Sequence, residues 1–140
     1  MMTKILFVCT GNSARSQMAE GILKYLNPEL EVFSAGTKPA DQVHPLAVAS
    51  MSEIGIDISK NKTKNVDEFL NQSFDFVITV CDNAKETCPV FLGNVKQRLH
   101  IGFEDPATAM GSEEKKLAIF RKIRDEIYSS MEKFSKELNT

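Results

Sequence analysis

Ile5-Leu6-Phe7-Val8-Cys9-Thr10-Gly11-Asn12-Ser13-Ala14-Arg15-Ser16 is the stretch on which the reading of this 140-residue chain turns. Four apolar residues run into a thiol. Arg15 follows after five intervening residues, and apolar positions then recur at Met18, Ala19, Ile22, Leu23 and Leu26 with helical spacing. The order is strand, tight loop, helix. Such a junction points backbone N–H groups inward, and the helix N-terminus adds partial positive charge. Thr10, Gly11, Asn12, Ser13, Ala14, Arg15 and Ser16 are therefore a candidate oxyanion-binding loop. Gly11 is expected to supply backbone freedom, and Arg15 to hold two oxygens through its planar fork. The same field favours a thiolate, which makes Cys9 the candidate nucleophile. Ser16 is placed to donate a hydrogen bond to it, and Asn12 to brace the loop.

Outward from this loop, strand and helix patterns alternate. Residues 3–8, 31–35 and 74–80 read as strands, and 96–101 as a weaker fourth. Helices are expected near 16–26 and 45–54, with a short one near 66–70. Pro45 suits a first helical turn and Gly55 a helix end. Leu117, Phe120, Ile123, Ile127, Met131, Phe134 and Leu138 form one apolar stripe at three- and four-residue steps, with Ser112 as its N-cap. The fold class is therefore α/β: a single three-layer domain, 1–140, with a four-stranded parallel sheet flanked by helices. Ligands of such sheets bind at the carboxyl ends of the strands. Cys9 and Cys81 both stand there, after Val8 and Val80, so they are expected to meet on one edge of the sheet.

Composition narrows the class of function. Net charge is −2, from 17 Lys and Arg against 19 Asp and Glu spread along the chain. No basic stripe points to nucleic acid. No stretch approaches the ~20 apolar residues that cross a bilayer. The short apolar run after Lys4 reads as a strand rather than a signal peptide. The expected location is cytoplasmic, where three cysteines point to catalysis or redox chemistry rather than a structural framework.

Cys9–Ser16 resembles the signature of low-molecular-weight protein-tyrosine phosphatases and of the arsenate reductases built on the same fold. The resemblance extends to Gln17-Met-Ala-Glu20, Ser34-Ala-Gly36, the segment Cys81-Asp-Asn-Ala-Lys-Glu-Thr-Cys88 and Gly102-Phe-Glu-Asp-Pro106. It makes Asp105 the general acid that protonates the departing oxygen, with Pro106 fixing the local backbone. Ala107-Thr108 follows, where phosphotyrosine phosphatases of the family commonly carry aromatic residues, and this argues for a small inorganic substrate. A phosphatase needs neither Cys81 nor Cys88. Their spacing exceeds the roughly two to four residues of structural zinc pairs. It matches the redox pair of thioredoxin-coupled arsenate reductases.

What the resemblance implies is a three-cysteine relay that reduces arsenate to arsenite in arsenic detoxification. Cys9 attacks arsenate, Cys81 attacks that sulfur and releases arsenite, and Cys88 closes a disulfide with Cys81 that thioredoxin reduces. Seven residues along a continuous helix span about 10.5 Å, whereas a disulfide needs Cα atoms within roughly 4.4–6.8 Å. A helical 82–88 must therefore unwind or bend, and a conformational switch is expected in 81–90. Asn12, Glu20 and Ser34 match positions that bind potassium in some of these reductases. The usual fourth ligand, an aspartate, is Lys64 here, whose ammonium can take the cation's place, so no bound metal is expected. Ala14 stands where the family often has a further cysteine outside the relay. His44 and His100 lack ligand-spaced carboxylates or cysteines and read as structural or surface residues. Two rivals remain: a phosphatase whose extra thiols protect Cys9, and a non-enzymatic oxyanion or redox sensor. Arg15 and Asp105 together speak against the sensor, which needs no acid.

Overall fold

A computed structural model describes residues 3–82 and 90–138. Strands β1 (Lys4–Cys9), β2 (Glu31–Gly36), β3 (Ser73–Thr79) and β4 (Asn94–His100) form one sheet in the order β2-β1-β3-β4. Every pairing is parallel. Helices α1 (Arg15–Leu26), α2 (Pro45–Ser52) and α3 (Glu113–Leu138) connect or follow the strands, with short 3-10 helices at Val66–Phe69 and Pro106–Thr108. Segment 81–90, where a switch is expected, lies mostly outside the described residues, and so does Cys88.

The central strand shows why the sheet is buried. Ile5, Leu6, Phe7 and Val8 are all fully inaccessible. With a side-chain period of two, Ile5, Phe7 and Cys9 face one way and Leu6 and Val8 the other. The first set joins Met18, Ile22, Met51, Phe120, Ile123, Ile127 and Met131 in the main core, beneath α1, α2 and α3. The second set meets Phe69, Phe74, Val77 and Phe91, beneath the 3-10 helix Val66–Phe69. The α3 stripe packs as its periodicity predicts, and Ser112 Oγ accepts from the Lys115 N–H at 3.2 Å as the N-cap. Pro45 is the first residue of α2, and Gly55 turns the chain beyond it at φ 80°. Among the described residues, no helix is long and apolar enough to cross a membrane.

The strand order reverses direction between β1 and β3, because β1 connects outward to β2 while β3 continues to β4. A crevice opens at the carboxyl ends of strands at such a switch point. Val8 pairs with Thr79, and the Val80 N–H donates to Val8 O at 3.2 Å, so the two strands end level. Cys9 and Cys81 thus leave adjacent strands side by side.

Candidate active site

The loop after β1 wraps around the Cys9 sulfur. The Asn12 backbone N–H donates to Sγ at 3.1 Å, and Ser16 Oγ lies 2.9 Å from it. Cys9 is a buried, free thiol. Left-handed backbone occurs at Asn12, with φ 51°, and not at Gly11, where the sequence places the conformational freedom. Asn tolerates this region better than most residues because its short side chain bonds nearby backbone. That turn is what aims the Asn12 N–H at the sulfur. Gly36 matters for a different reason: a Cβ there would stand 2.4 Å from Thr10 O and 3.0 Å from Asn12 N. The end of β2 must be glycine for the loop to lie against it.

Helix α1 begins at Arg15 with Ala14 as N-cap, a residue without a side-chain cap. Its first N–H groups are thereby left to the crevice, as anion binding requires. Arg15 is 5 % exposed, and its guanidinium donates to Phe103 O at 3.1 Å. Its other terminal nitrogen lies 3.6 Å from Asp105 Oδ2. Asp105 does two things. Oδ1 accepts from the Ala107 N–H at 3.0 Å and caps the 3-10 helix Pro106–Thr108, while Oδ2 turns toward the arginine. A turn-forming aspartate and an aspartate facing the crevice are here the same residue. Thr10, Gly11, Asn12, Ser13 and Ala14 line the cavity with Cys9, Arg15, Asp105 and Ala107. No aromatic ring is among these described walls.

Behind the loop, hydrogen bonds run from the thiol to the surface. Asn12 Nδ2 donates to Ser16 Oγ at 2.8 Å and to Ser34 Oγ at 2.9 Å. Ser34 donates to Glu20 Oε1 at 2.6 Å, and the Lys24 ammonium meets Glu20 Oε2 at 2.7 Å. Asn12, Glu20 and Ser34 do come together, as the resemblance implies. The partner of Glu20 is Lys24, one helical turn along, rather than Lys64. Lys64 donates its ammonium to Lys62 O at 2.9 Å and its backbone N–H to Asn12 Oδ1, also at 2.9 Å. Burial pulls the Lys64 ammonium below the usual lysine range, and the Glu20 charge opposes this. With one carboxylate already neutralised by an ammonium and a lysine as the fourth residue, the set does not fit a monovalent cation. Among the described residues, no group of His, Cys, Asp and Glu could hold a metal ion.

Cys81 is fully buried and disulfide-bonded. His44 caps α2 by accepting the Leu46 N–H on Nδ1 at 3.1 Å, stacks on Phe120 at 4.7 Å, and donates its backbone N–H to Ser13 O at 2.8 Å. His100 Nδ1 lies 2.8 Å from Thr79 Oγ1. Sequence reasoning gave no role to Gln17, Asn61 or Lys24. Only Lys24 carried a signal, following Glu20 at the i,i+4 spacing of ion pairs; Gln17 and Asn61 meet across 44 residues of chain, which no local pattern marks.

Comparison with known proteins places residues 4–140 in the family described as low molecular weight phosphotyrosine protein phosphatase. An arsenate reductase of Halalkalibacterium halodurans is 50 % identical over 132 residues, covering 94 % of each chain. A solved arsenate reductase in the phosphate binding state superimposes with a TM-score of 0.80 at 33 % identity, covering 97 % of this chain and 98 % of that one. One in the oxidized state gives 0.77 at the same identity, covering 94 % and 95 %.

Proposed function

The chain belongs to the low molecular weight phosphotyrosine protein phosphatase family, and we propose that within it the protein is an arsenate reductase working by a three-cysteine relay. The Cys9 thiolate attacks arsenic and forms a sulfur–arsenic bond. The displaced oxygen leaves as water with a proton from Asp105. Arg15 and the loop N–H groups hold the remaining oxygens as charge shifts onto them. The Cys81 thiolate then attacks the Cys9 sulfur. The sulfur–arsenic electron pair departs with arsenic, which is reduced to arsenite, and Cys9 and Cys81 are left joined. The Cys88 thiolate attacks Cys81, frees Cys9 and forms the disulfide. A dithiol reductant of the thioredoxin type returns two electrons and restores the cycle.

The observation that carries this reading is the level exit of β1 and β3 at the switch point. It sets a free Cys9 beside a disulfide-bonded Cys81. The relatives named above support arsenate as substrate, and the absence of an aromatic wall among the described residues agrees with it. For the cation position the proposed occupant is the Lys24 ammonium, so exchanging potassium for sodium should leave turnover unchanged. The deciding experiment measures arsenite release with a thioredoxin system beside aryl phosphate hydrolysis, using single Cys→Ser variants. Cys88→Ser should release one equivalent of arsenite and then stop. Full steady-state turnover without Cys88 would sink the relay. Vigorous aryl phosphate hydrolysis that needs Cys9 alone would favour a phosphatase.

A further inference from the structure

Gln17 lies outside the Cys9–Arg15 loop and is not among the residues that line the cavity, yet it is fully buried. A buried primary amide has two donors and one acceptor oxygen to satisfy. Nε2 donates to Asn12 O at 3.2 Å, Asn12 Oδ1 at 3.1 Å and Lys62 O at 3.0 Å. Oε1 accepts from Asn61 Nδ2 at 3.1 Å. Chemistry forces this orientation, because two of the three oxygens around Nε2 are backbone carbonyls and can only accept.

The consequence passes along the chain of bonds. Gln17 Nε2 and the Lys64 N–H both point at the same atom of Asn12, which must therefore be Oδ1. The Asn12 amide cannot flip, and its Nδ2 is directed at Ser16 Oγ and Ser34 Oγ. Ser16 Oγ then accepts from Asn12, so its own proton is left to point at the Cys9 sulfur 2.9 Å away. Gln17 also holds the Asn12 carbonyl, and so the left-handed turn that aims the Asn12 N–H at Cys9.

We infer that Gln17 is a positioning residue that sets the direction of the hydrogen bonds ending on Cys9, so that Ser16 and the Asn12 N–H both donate to the thiolate. Asn61 and the Lys62 carbonyl anchor Gln17 from the far side. This role concerns the nucleophile itself and is the same whether arsenate or a phosphoester is attacked.

The test uses the full chain in its oxidised form, where Cys9 carries the free thiol. The rate of Cys9 alkylation by iodoacetamide is followed by mass spectrometry of its peptide at pH 6 and pH 9. Gln17→Met keeps the length and removes every bond. It should slow alkylation about tenfold at pH 6, the cost of roughly one pH unit in thiolate formation, and leave the pH 9 rate unchanged or higher. Combined with Ser16→Ala, which removes the group through which Gln17 acts, it should add less than about a threefold further loss at pH 6. Equal slowing at both pH values, or losses that multiply in full, would reduce Gln17 to packing and overturn the inference. If Gln17→Met does not give a cooperative thermal melt, Asn61→Ala is read instead. It removes the donor to Gln17 Oε1 and adds no charge beside the loop. A smaller loss of about threefold, confined to pH 6, is expected. An unchanged pH 6 rate would overturn the inference.

Discussion

Between Cys9 and Glu20 the groups that fix the loop are amides and hydroxyls: Asn12, Ser16, Gln17 and Ser34. Between α2 and α3 the work falls to full charges. Arg121 forks onto Glu53, and Arg124 reaches both Glu53 at 2.9 Å and Ser50 O at 2.9 Å. The contrast follows from what each region must leave free. A cavity that binds an oxyanion and a thiolate needs net positive potential; Glu20 is paired with Lys24 and Asp105 faces Arg15, and a further carboxylate against the sulfur would cancel that potential. Neutral hydrogen bonds in a buried network fix geometry without doing so. The α2–α3 contact has no such constraint. There water solvates the exposed ends of Glu53 and Arg121, so full charges are tolerated. Changes to the first region should therefore appear in rate, and changes to the second in stability.

The largest expected effect is at Arg15, the guanidinium in the cavity wall, which Asp105 faces at 3.6 Å. Arg15→Lys keeps the charge and loses the fork, and kcat/KM for arsenate should fall about 10²–10³-fold with Tm little changed. A loss under tenfold would show that loop N–H groups alone hold the oxyanion. Asp105→Asn comes next. Asn can still accept the Ala107 N–H and keep the turn, so a fall of roughly 10²-fold in kcat, with one limb of the pH–rate profile removed, would isolate proton donation. A matching fall in Tm would mean that the turn, not the proton, was lost. Ser16→Ala should cost about tenfold near neutral pH, the scale of one hydrogen bond to a charged group.

The smallest effects test the charged region. The Arg121 and Arg124 guanidiniums hold the Glu53 carboxyl down at about 2. Because the folded value lies below the unfolded one, its stabilisation is complete above pH ~4.5 and is lost as pH falls toward about 2. Glu53→Gln should leave arsenate turnover intact, lower Tm slightly at pH 7, and flatten the Tm profile across that acid window. A rate loss in this variant would break the division between the regions. His44 gives a related, weaker signature near neutrality. Burial lowers its pKa, against the opposing charges of Asp105 and Glu113. Its contribution is present above pH ~6.5 and fades as the unfolded chain takes up protons below it. His44→Asn keeps an N-cap and should remove that slope in Tm.

Periodicity made much of this fold legible. The β1 run, the α1 face and the α3 stripe lie where hydrophobic spacing puts them, because each is an amphipathic or fully buried element whose pattern is set by the core. The C-x5-R loop was legible because its chemistry is local. What spacing could not reveal was the left-handed residue. Gly11 carries the expected signature, but Asn12 carries the conformation, since its side chain is held by Ser16 and Gln17 of the adjoining helix and by Ser34 and Lys64 from two distant segments. Gln17 itself looks like a solvent-facing helical polar residue until the 61–64 segment is laid over it. Counting along the chain puts Lys64 at the fourth position of the Asn12, Glu20 and Ser34 set, and its backbone N–H does reach Asn12, but the ammonium on Glu20 is that of Lys24.

Strand β4 was the faintest element in the sequence, and the reason has a further consequence. It closes the sheet on one side, and Asn94, Lys96, Gln97, Arg98 and His100 are all exposed. An outermost strand offers unpaired backbone groups to any other extended chain. The long cationic side chains of Lys96 and Arg98 repel a second copy that would add to the sheet there. The weak hydrophobic pattern of this strand is thus its protection against self-association.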